Sequence, residues 1–405
     1  MLYLILIFRI DMVAVIVGYA RSPFTRAGKG ALYKSRPDDI AATVVNRLLA
    51  DLSLDPTLIE DLIVGTAFPE GEQGFNLARM ITFLTDLPET VPGVTINRFC
   101  GSSMQAIHDA AGRIAMGAGD AFIAGGVESM TRIPMTGFNP MPNPRISEEN
   151  PAAFTSMGIT AENLARKHGI NRETQEAFAV ESHARASKAR ESGAFADEIV
   201  PIETEDGTID TDGCIRPDTD AQTLSGLRPA FDADGTVTAG TSSPLTDGAA
   251  FVLVCSEEFA AEQGLTPLAR IVSTAVSGCA PEIMGIGPVE ATKKALDRAA
   301  LSLNDIDIIE LNEAFAAQVL ACQKAFASDD YCRDVLGLDH ALGEIDSSRL
   351  NVNGGAIALG HPIAATGARI ILTLARQLRA SGERYGLASL CIGGGQGQAF
   401  VVEAA

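Results

Sequence analysis

The chain has 405 residues, 46% of them hydrophobic and 20% charged, with 39 glycines, enough to bury a large core in roughly two to three domains. A formal net charge of −20 argues against nucleic acid or an anionic membrane as the main partner, because phosphate binding needs a cationic field. Any phosphorylated ligand must therefore find local Arg or Lys. Seven cysteines, at 100, 214, 255, 279, 322, 332 and 391, form no CxxC pair, which suggests neither a disulfide framework nor a zinc ribbon and fits a reducing, cytoplasmic setting.

The apolar run Leu2 to Phe8 is too short to span a bilayer and lacks a basic start or a cleavage site. A fresh strand-like run, Val13 to Val17, follows Met12, so residues 1–11 read as a non-native or disordered extension. A helical stretch, Asp39 to Ala50, comes next, then Leu52-Ser53-Leu54-Asp55, the strand Leu62 to Val64, and Ala67-Phe68. Strand Val94 to Ile96 runs into a turn at Cys100, with Ser102 a candidate N-cap for the small-residue helix Met104 to Ala111. Strand Ala121 to Gly126 ends this set.

Residues 130–249 break the pattern with Pro-rich and polar stretches such as Phe138 to Pro144, and hold one well-formed helix, Arg172 to Glu191. They read as an inserted loop domain whose long irregular portions are functional. A small polar loop, Ala239 to Ala250, leads into strand Phe251 to Val254, so residues 250–265 complete the first half, 12–129. The second half, 266–405, repeats the order of the first. It has Ala269 to Val272, helix Val289 to Ala300, Leu301-Ser302-Leu303-Asn304 with a turn at Asn304, strand Ile306 to Ile309, and Ala314-Phe315. Leu350 to Val352 then runs as a strand into a turn at His361, and Leu387 to Cys391 and Ala399 to Val402 close the chain. Strands alternating with helices imply an α/β protein with two mixed, mostly parallel sheets covered by helices and ligands at the strand carboxyl ends.

Cys100 and His361 occupy related places in the two halves, so side chains from both would face one cleft. A thiol at a helix start is favoured as thiolate by the macrodipole and free N–H groups, although a buried structural cysteine is the alternative. His361, alone among five histidines in sitting in a glycine-rich turn, is placed to accept a thiol proton, or else packs or caps there. Cys391 ends an apolar strand, and Gly393 after it offers an N–H. The following run Ala399 to Val402 is a strand, which removes a helix-terminus phosphate site. Asn312 follows a strand and either holds a water or carbonyl oxygen or caps a helix.

Four segments in order, NRFCGSSMQAIHDAA, LNEAFAAQ, NVNGGAIALGHP and CIGGGQG, resemble those of the thiolase family over essentially the whole chain from Met12. EQGFNLAR, TAGTSSPLTDGAA and IMGIGPV bring it nearer to the bacterial 3-ketoacyl-CoA thiolases of fatty-acid β-oxidation. The resemblance implies a thiolase fold: two duplicated βαβαβαββ halves in a five-layered α-β-α-β-α arrangement plus an inserted loop domain. It also implies an acyltransferase that cleaves 3-ketoacyl-CoA with CoA. Cys100 would be the acylated nucleophile, His361 its base, Cys391 the acid and base at the acetyl-CoA α-carbon, and Asn312 the holder of an oxyanion-hole water. The N–H groups of Cys100 and Gly393 would form a second hole. Similarity places Ser243 and Ala239 at the pantetheine, Met157 and Phe231 as apolar walls, Ala314 and Phe315 near the thioester, and Arg216 towards the adenine and phosphates.

Coenzyme A enters as substrate, with no tightly bound cofactor and no metal. Family members assemble as homodimers or homotetramers, and some dock to a hydratase/dehydrogenase subunit. Ala364 departs from a common family glycine, and its methyl bears on chain-length preference. Two other readings stand beside this one. A biosynthetic acetyl-CoA C-acetyltransferase uses the same residues to make acetoacetyl-CoA, and a non-catalytic lipid carrier or scaffold subunit uses none of them.

Overall fold

The computed structural model describes residues 12–405, and the reading of residues 1–11 lies outside the described residues. Nine strands carry the architecture. The first five are β1 (Ala14–Arg21), β2 (Asp61–Gly65), β3 (Gly93–Ile96), β4 (Ala121–Ser129) and β5 (Thr246–Ser256). The remaining four are β6 (Ala269–Gly278), β7 (Ile308–Leu311), β8 (Tyr385–Ile392) and β9 (Gln396–Ala404). They join in the order β7-β8-β9-β6-β1-β5-β4-β2-β3, with the two-residue strand Thr25–Arg26 beside the start of β5. Outward from the β6/β1 junction the two arms follow one plan, β1-β5-β4-β2-β3 against β6-β9-β8-β7.

The sheet is less parallel than the alternation of strands and helices predicts. Parallel pairing is confined to β3-β2-β4 and β7-β8, and the remaining pairs are antiparallel. One cause is local: β8 and β9 are joined by the turn around Gly393 to Gly395, and a hairpin imposes opposite strand directions. The two arms are also one hydrogen-bonded path, because Val15 pairs with Arg270 and Ile16 with Ala269.

Strand periodicity explains the layering. In β1, Val15 and Val17 enter one apolar cluster while Ala14 and Ile16 enter another, and β5 divides Phe251 and Leu253 from Val252 and Val254 in the same way. In β8 and β9, Leu387, Ala399 and Val401 face one cluster, and Ala388, Leu390, Phe400 and Val402 the other. Three layers of helix fill the spaces so defined.

The outer face of the first arm is covered by α1 (Pro37–Leu52). Its apolar Ile40, Val44, Val45 and Leu48 recur at three and four, Pro37 opens it, and Asp38 and Asp39 oppose the positive end of its dipole. Between the arms lie α2 (Ser102–Ala115), through Met104, Ile107 and Ile114, and α7 (Thr366–Ser381), through Ile370, Ile371 and Leu374. The outer face of the second arm is covered by α5 (Gly287–Ala299) and α6 (Ala316–Phe326). The result is α-β-α-β-α. Between β4 and β5 the chain contributes α3 (Met157–Lys167) and α4 (Arg172–Glu191), the latter over the residues its sequence predicts. Buried ion pairs tie this segment down: Arg21 holds Glu198 and Asp212, both at 2.7 Å, and Arg376 of α7 holds Glu198 at 2.7 Å.

Leu350 to Val352 is not a strand. Leu350 makes a single bridge to Ile309, and Asn351 then turns to φ +44°, the left-handed region that Asn tolerates. The ladder is completed by the Asn351 side chain. Its Oδ1 accepts the Leu311 N–H at 2.9 Å, and its Nδ2 donates to Leu311 O at 2.9 Å and to Glu313 Oε1 at 2.8 Å. Asn351→Leu leaves these buried partners unsatisfied, so we expect about 2–3 kcal/mol of lost stability, read as a lower denaturant midpoint.

Candidate active site

Three turns meet where the central helices begin. The first leaves β3, makes a single helical turn at Phe99–Gly101 and enters α2. Ser102 is the first residue of α2 and not its N-cap, which is Gly101. The Ser102 hydroxyl accepts the Arg98 N–H at 2.9 Å and donates to Phe99 O at 2.7 Å, closing the turn under Cys100. Phe99 holds φ +44°, a strained value for a residue with a side chain.

The second turn carries His361. Gly360 before it adopts φ +100°, and a Cβ there would stand 2.7 Å from Thr246 Oγ1, so only glycine allows the close approach. Thr246 Oγ1 in turn accepts the His361 N–H at 3.0 Å. The third turn follows Cys391 at the end of β8. The first and second are bonded directly: Ser103 N–H donates to Ala364 O at 3.1 Å, and Ala368 N–H donates to Ser103 Oγ at 2.9 Å. The third meets the first where the Gly393 N–H points at the Cys100 thiol.

This assembly brings the five candidate catalytic residues together in two groups. Cys100, Cys391 and Gly393 form one, with Cys100 the side chain that, after burial, does most to raise the fully buried Cys391 thiol. Asn312 and His361 form the other, with Asn312 Nδ2 3.5 Å from His361 Nε2. The backbone of Asn312 continues the β7-β8 ladder through its N–H to Ser389 O at 2.9 Å, and Phe315 is the N-cap of α6. Asn312 is therefore not a helix cap. Its Oδ1 is buried and has no protein partner.

The electrostatics overturn one expectation. A helix start was predicted to favour a Cys100 thiolate, yet burial pushes the thiol up to about 11, against the lowering by the Gly393 and Cys100 N–H groups. Desolvation of a full charge outweighs two N–H dipoles here. Cys391 is raised well above the usual thiol value by burial and by Cys100. Burial and the nearby Arg369 charge lower His361 to about 3, so at neutral pH the site holds neutral thiols and a neutral imidazole.

The tautomer follows from one pairing. The Thr366 hydroxyl donates to Pro362 O at 3.0 Å and lies 2.6 Å from His361 Nδ1. With its proton committed, Thr366 accepts from Nδ1–H and leaves Nε2 free as a base. Sequence reasoning missed Thr366 and Thr246. The first was legible as a hydroxyl five residues beyond His361, whereas the second was hidden by reading Thr246 to Ala250 as loop.

Of the candidate binding residues, Phe231 and Phe315 pack edge to face at 5.8 Å, with Phe231 also against Gly158. Met157 Sδ lies 3.4 Å from where a Gly393 Cβ would stand. Ser243 N–H donates to Ala314 O at 3.0 Å, and Ser242 bridges Phe315. These residues form one apolar wall leading away from Gly393. Ala239 is exposed nearby, next to Gly240, on which Leu224 and Leu227 pack. Arg216 is apart from the thiols but shares a cavity of about 350 Å³ with Leu224 and Leu227.

Such a pair of neutral thiols with a tautomer-fixed imidazole, at the meeting of two duplicated halves, defines an acyl-transfer enzyme. The thiolase N-terminal domain matches residues 14–258 and the thiolase C-terminal domain residues 265–404. The chain belongs to the thiolase family. It is 47% identical over 403 residues to the 3-ketoacyl-CoA thiolase of Bacillus subtilis, covering 96% of this chain and 99% of that one. Among solved structures, it is 37% identical to human mitochondrial 3-ketoacyl-CoA thiolase in complex with CoA, with a TM-score of 0.86 over 97% of this chain and 98% of that one. It is 39% identical to the Bacillus anthracis acetyl-CoA acetyltransferase, with a TM-score of 0.85 over 97% and 99%.

Because burial disfavours the thiolate, the iodoacetamide reaction of Cys100 in the free protein should keep rising through pH 9, about tenfold per pH unit. A plateau in the alkylation rate below pH 8 would show a thiolate already present.

Proposed function

We propose that the protein cleaves 3-ketoacyl-CoA with CoA to acetyl-CoA and a shortened acyl-CoA, through an acyl-enzyme on Cys100. The observation that carries this reading is the two-thiol arrangement: Cys391 beside Cys100, with the Gly393 N–H directed at the Cys100 sulfur. Since both thiols rest neutral, Cys100 gives its proton to His361 Nε2 as it attacks the 3-keto carbon. The keto oxygen becomes an alkoxide, the bond between carbons 2 and 3 breaks, and the Cys391 thiol protonates the acetyl-CoA enolate that departs. In the second half CoA, deprotonated by Cys391, attacks the Cys100 thioester, and the Cys100 sulfur that departs takes its proton back from His361.

Backbone N–H groups of Cys100 and Gly393 suit an oxygen developing at the Cys100 acyl carbon. Asn312, with an unpartnered buried Oδ1 and its Nδ2 beside His361, suits a water that together with His361 holds an enolate oxygen. Each such donor typically contributes about 2.7–4 kcal/mol to the transition state. The wall of Met157, Phe231, Ala314, Phe315 and Ser243 fits a pantetheine arm, with Ala239 beside it. Exposed Arg216 supplies a local cation for phosphates in an otherwise acidic chain. Coenzyme A is thus substrate, and the reading requires no other cofactor.

The same reading divides the chain into the halves 12–129 with 250–265 and 266–405, and the inserted 130–249. Its setting is a reducing cytoplasm, supported by seven free cysteines among the described residues. A homodimer or homotetramer rests on family resemblance; Phe75, 94% exposed next to Asn76, which bonds Gly93 O of β3, offers one apolar contact near that edge. Docking to a hydratase/dehydrogenase subunit rests on family resemblance. No helix among the described residues is long and apolar enough to cross a membrane.

Likeness to the B. anthracis acetyltransferase supports a second reading, synthesis of acetoacetyl-CoA. Turnover across a 3-ketoacyl-CoA length series separates the two, with acetoacetyl-CoA preferred only by the second. Cys100→Ala should abolish acyl transfer to the protein, tested by mass spectrometry after mixing with substrate. Cys391→Ala should still be acylated at Cys100 by a simple acyl-CoA but lose carbon–carbon cleavage by roughly 10²- to 10⁴-fold, the usual worth of a positioned acid or base.

A further inference from the structure

Behind the Cys100 turn lies a carboxylate that the mechanism does not use. Glu128, near the end of β4, is 1% exposed, and no cationic side chain among the described residues pairs with it. Its Oε2 accepts the Ala67 N–H at 2.8 Å and its Oε1 accepts from Gln73 Nε2 at 2.6 Å, while the N–H groups of Phe68 and Ala364 also face it. Gln73 is itself fixed, donating to Thr66 Oγ1 at 2.9 Å and accepting the Ser129 N–H at 2.7 Å. Burying a carboxylate among neutral donors is costly, and its proton affinity rises accordingly, to about 7. What the carboxylate gains for that cost is acceptors for donors on separate segments, the Ala67 N–H and the Gln73 amide.

The contacts run from this carboxylate to both ends of the nucleophile turn. Ala67, held by its N–H, offers its carbonyl to Asn97 Nδ2 at 2.9 Å, and Asn97 Oδ1 accepts the Phe99 N–H at 2.9 Å. That bond fixes the residue with φ +44°. On the other side, Ala364, whose N–H faces Glu128, accepts the Ser103 N–H at 3.1 Å. The segment before the turn and the segment after His361 therefore share one anchor. Cys100 itself packs against Ala67, Met130, Ile363 and Ala364.

We propose that Glu128 is a positioning residue for the acylation step, setting the register between the Cys100 turn and the His361 turn through Ala67 and Ala364. It touches neither substrate nor the reacting atoms, although its charge raises the Cys100 thiol; losing that charge in Glu128→Gln would ease thiol ionisation, so slower acylation in that variant reports lost positioning. The inference rests on the thiolytic reading above, and its consequence is kinetic. Glu128→Gln keeps the volume but turns an amide N–H₂ toward backbone N–H donors, so one turn must give. Misplacement of reacting groups on the ångström scale typically costs up to about 10²-fold in rate.

The test compares full-length protein with Glu128→Gln and Glu128→Asp. Single-turnover acylation by a 3-ketoacyl-CoA, KM for CoA in the second half-reaction, and thermal melting are each measured. Glu128→Gln should slow acylation roughly 10- to 100-fold with KM for CoA changed by less than about threefold, because the pantetheine wall is built from other elements. Glu128→Asp keeps the charge but shortens the reach, and should acylate at a rate between wild type and Glu128→Gln. A folded Glu128→Gln that acylates at the wild-type rate overturns the proposal, as does a loss that appears equally in KM. If Glu128→Gln does not fold, a wild-type acylation rate in Glu128→Asp overturns it. A wild-type protein that forms no acyl-enzyme overturns the thiolytic reading instead, so the two failures are told apart.

Discussion

Two hydrogen bonds hold the structure's chemistry together: Ser103 N–H to Ala364 O, and Ala368 N–H to Ser103 Oγ. They clasp the start of α2 to the segment entering α7, the two helices that fill the middle layer. Cys100 and His361 lie just ahead of those helix starts, Gly393 lies in the turn after β8 that leans on them, and Asn312 comes in from the end of β7. A thiol and an imidazole on separate loops would drift by more than the tolerance of proton transfer. On the ends of two helices packed through Met104, Ile107, Ile370 and Ile371, they cannot move apart without opening the core.

Burial sets the character of the site as strongly as geometry does. The same exclusion of water that raises both thiols and lowers His361 keeps charge out until substrate brings it. In the resting protein both sulfurs and the imidazole therefore stay uncharged. N–H groups aimed at the sulfur and at a reacting carbonyl are worth more in such a medium than in water. The cost of burying charge is offset elsewhere by pairing, where Arg21 and Arg376 hold Glu198 and Arg21 also holds Asp212, at the junction of α7 with the 130–249 segment.

Much of this was legible in the sequence, for reasons that differ by element. The strands Leu62 to Val64 and Leu387 to Cys391 are short, mainly apolar runs because both faces are covered, and α4 announces itself as one well-formed helix from Arg172 to Glu191. The residues Cys100, His361, Asn312 and Cys391 stood out because small residues crowd around reactive side chains. What was hidden depends on contacts distant in sequence. Asn351 imitates a strand with its side chain, a bond that becomes visible only once β7 is beside it. Thr246 looked like loop because its hydroxyl serves His361 across 115 positions. The helix-start argument for a thiolate failed because dipoles can be read locally whereas desolvation cannot.

The two arms of the sheet repeat one plan, yet β3 leads straight into the Cys100 turn, whereas the segment ahead of His361 forms only one bridge and the second arm has one strand fewer. Matching turns of a repeated scaffold thus carry unlike side chains, a thiol on one and an imidazole on the other, and neither arm alone holds both.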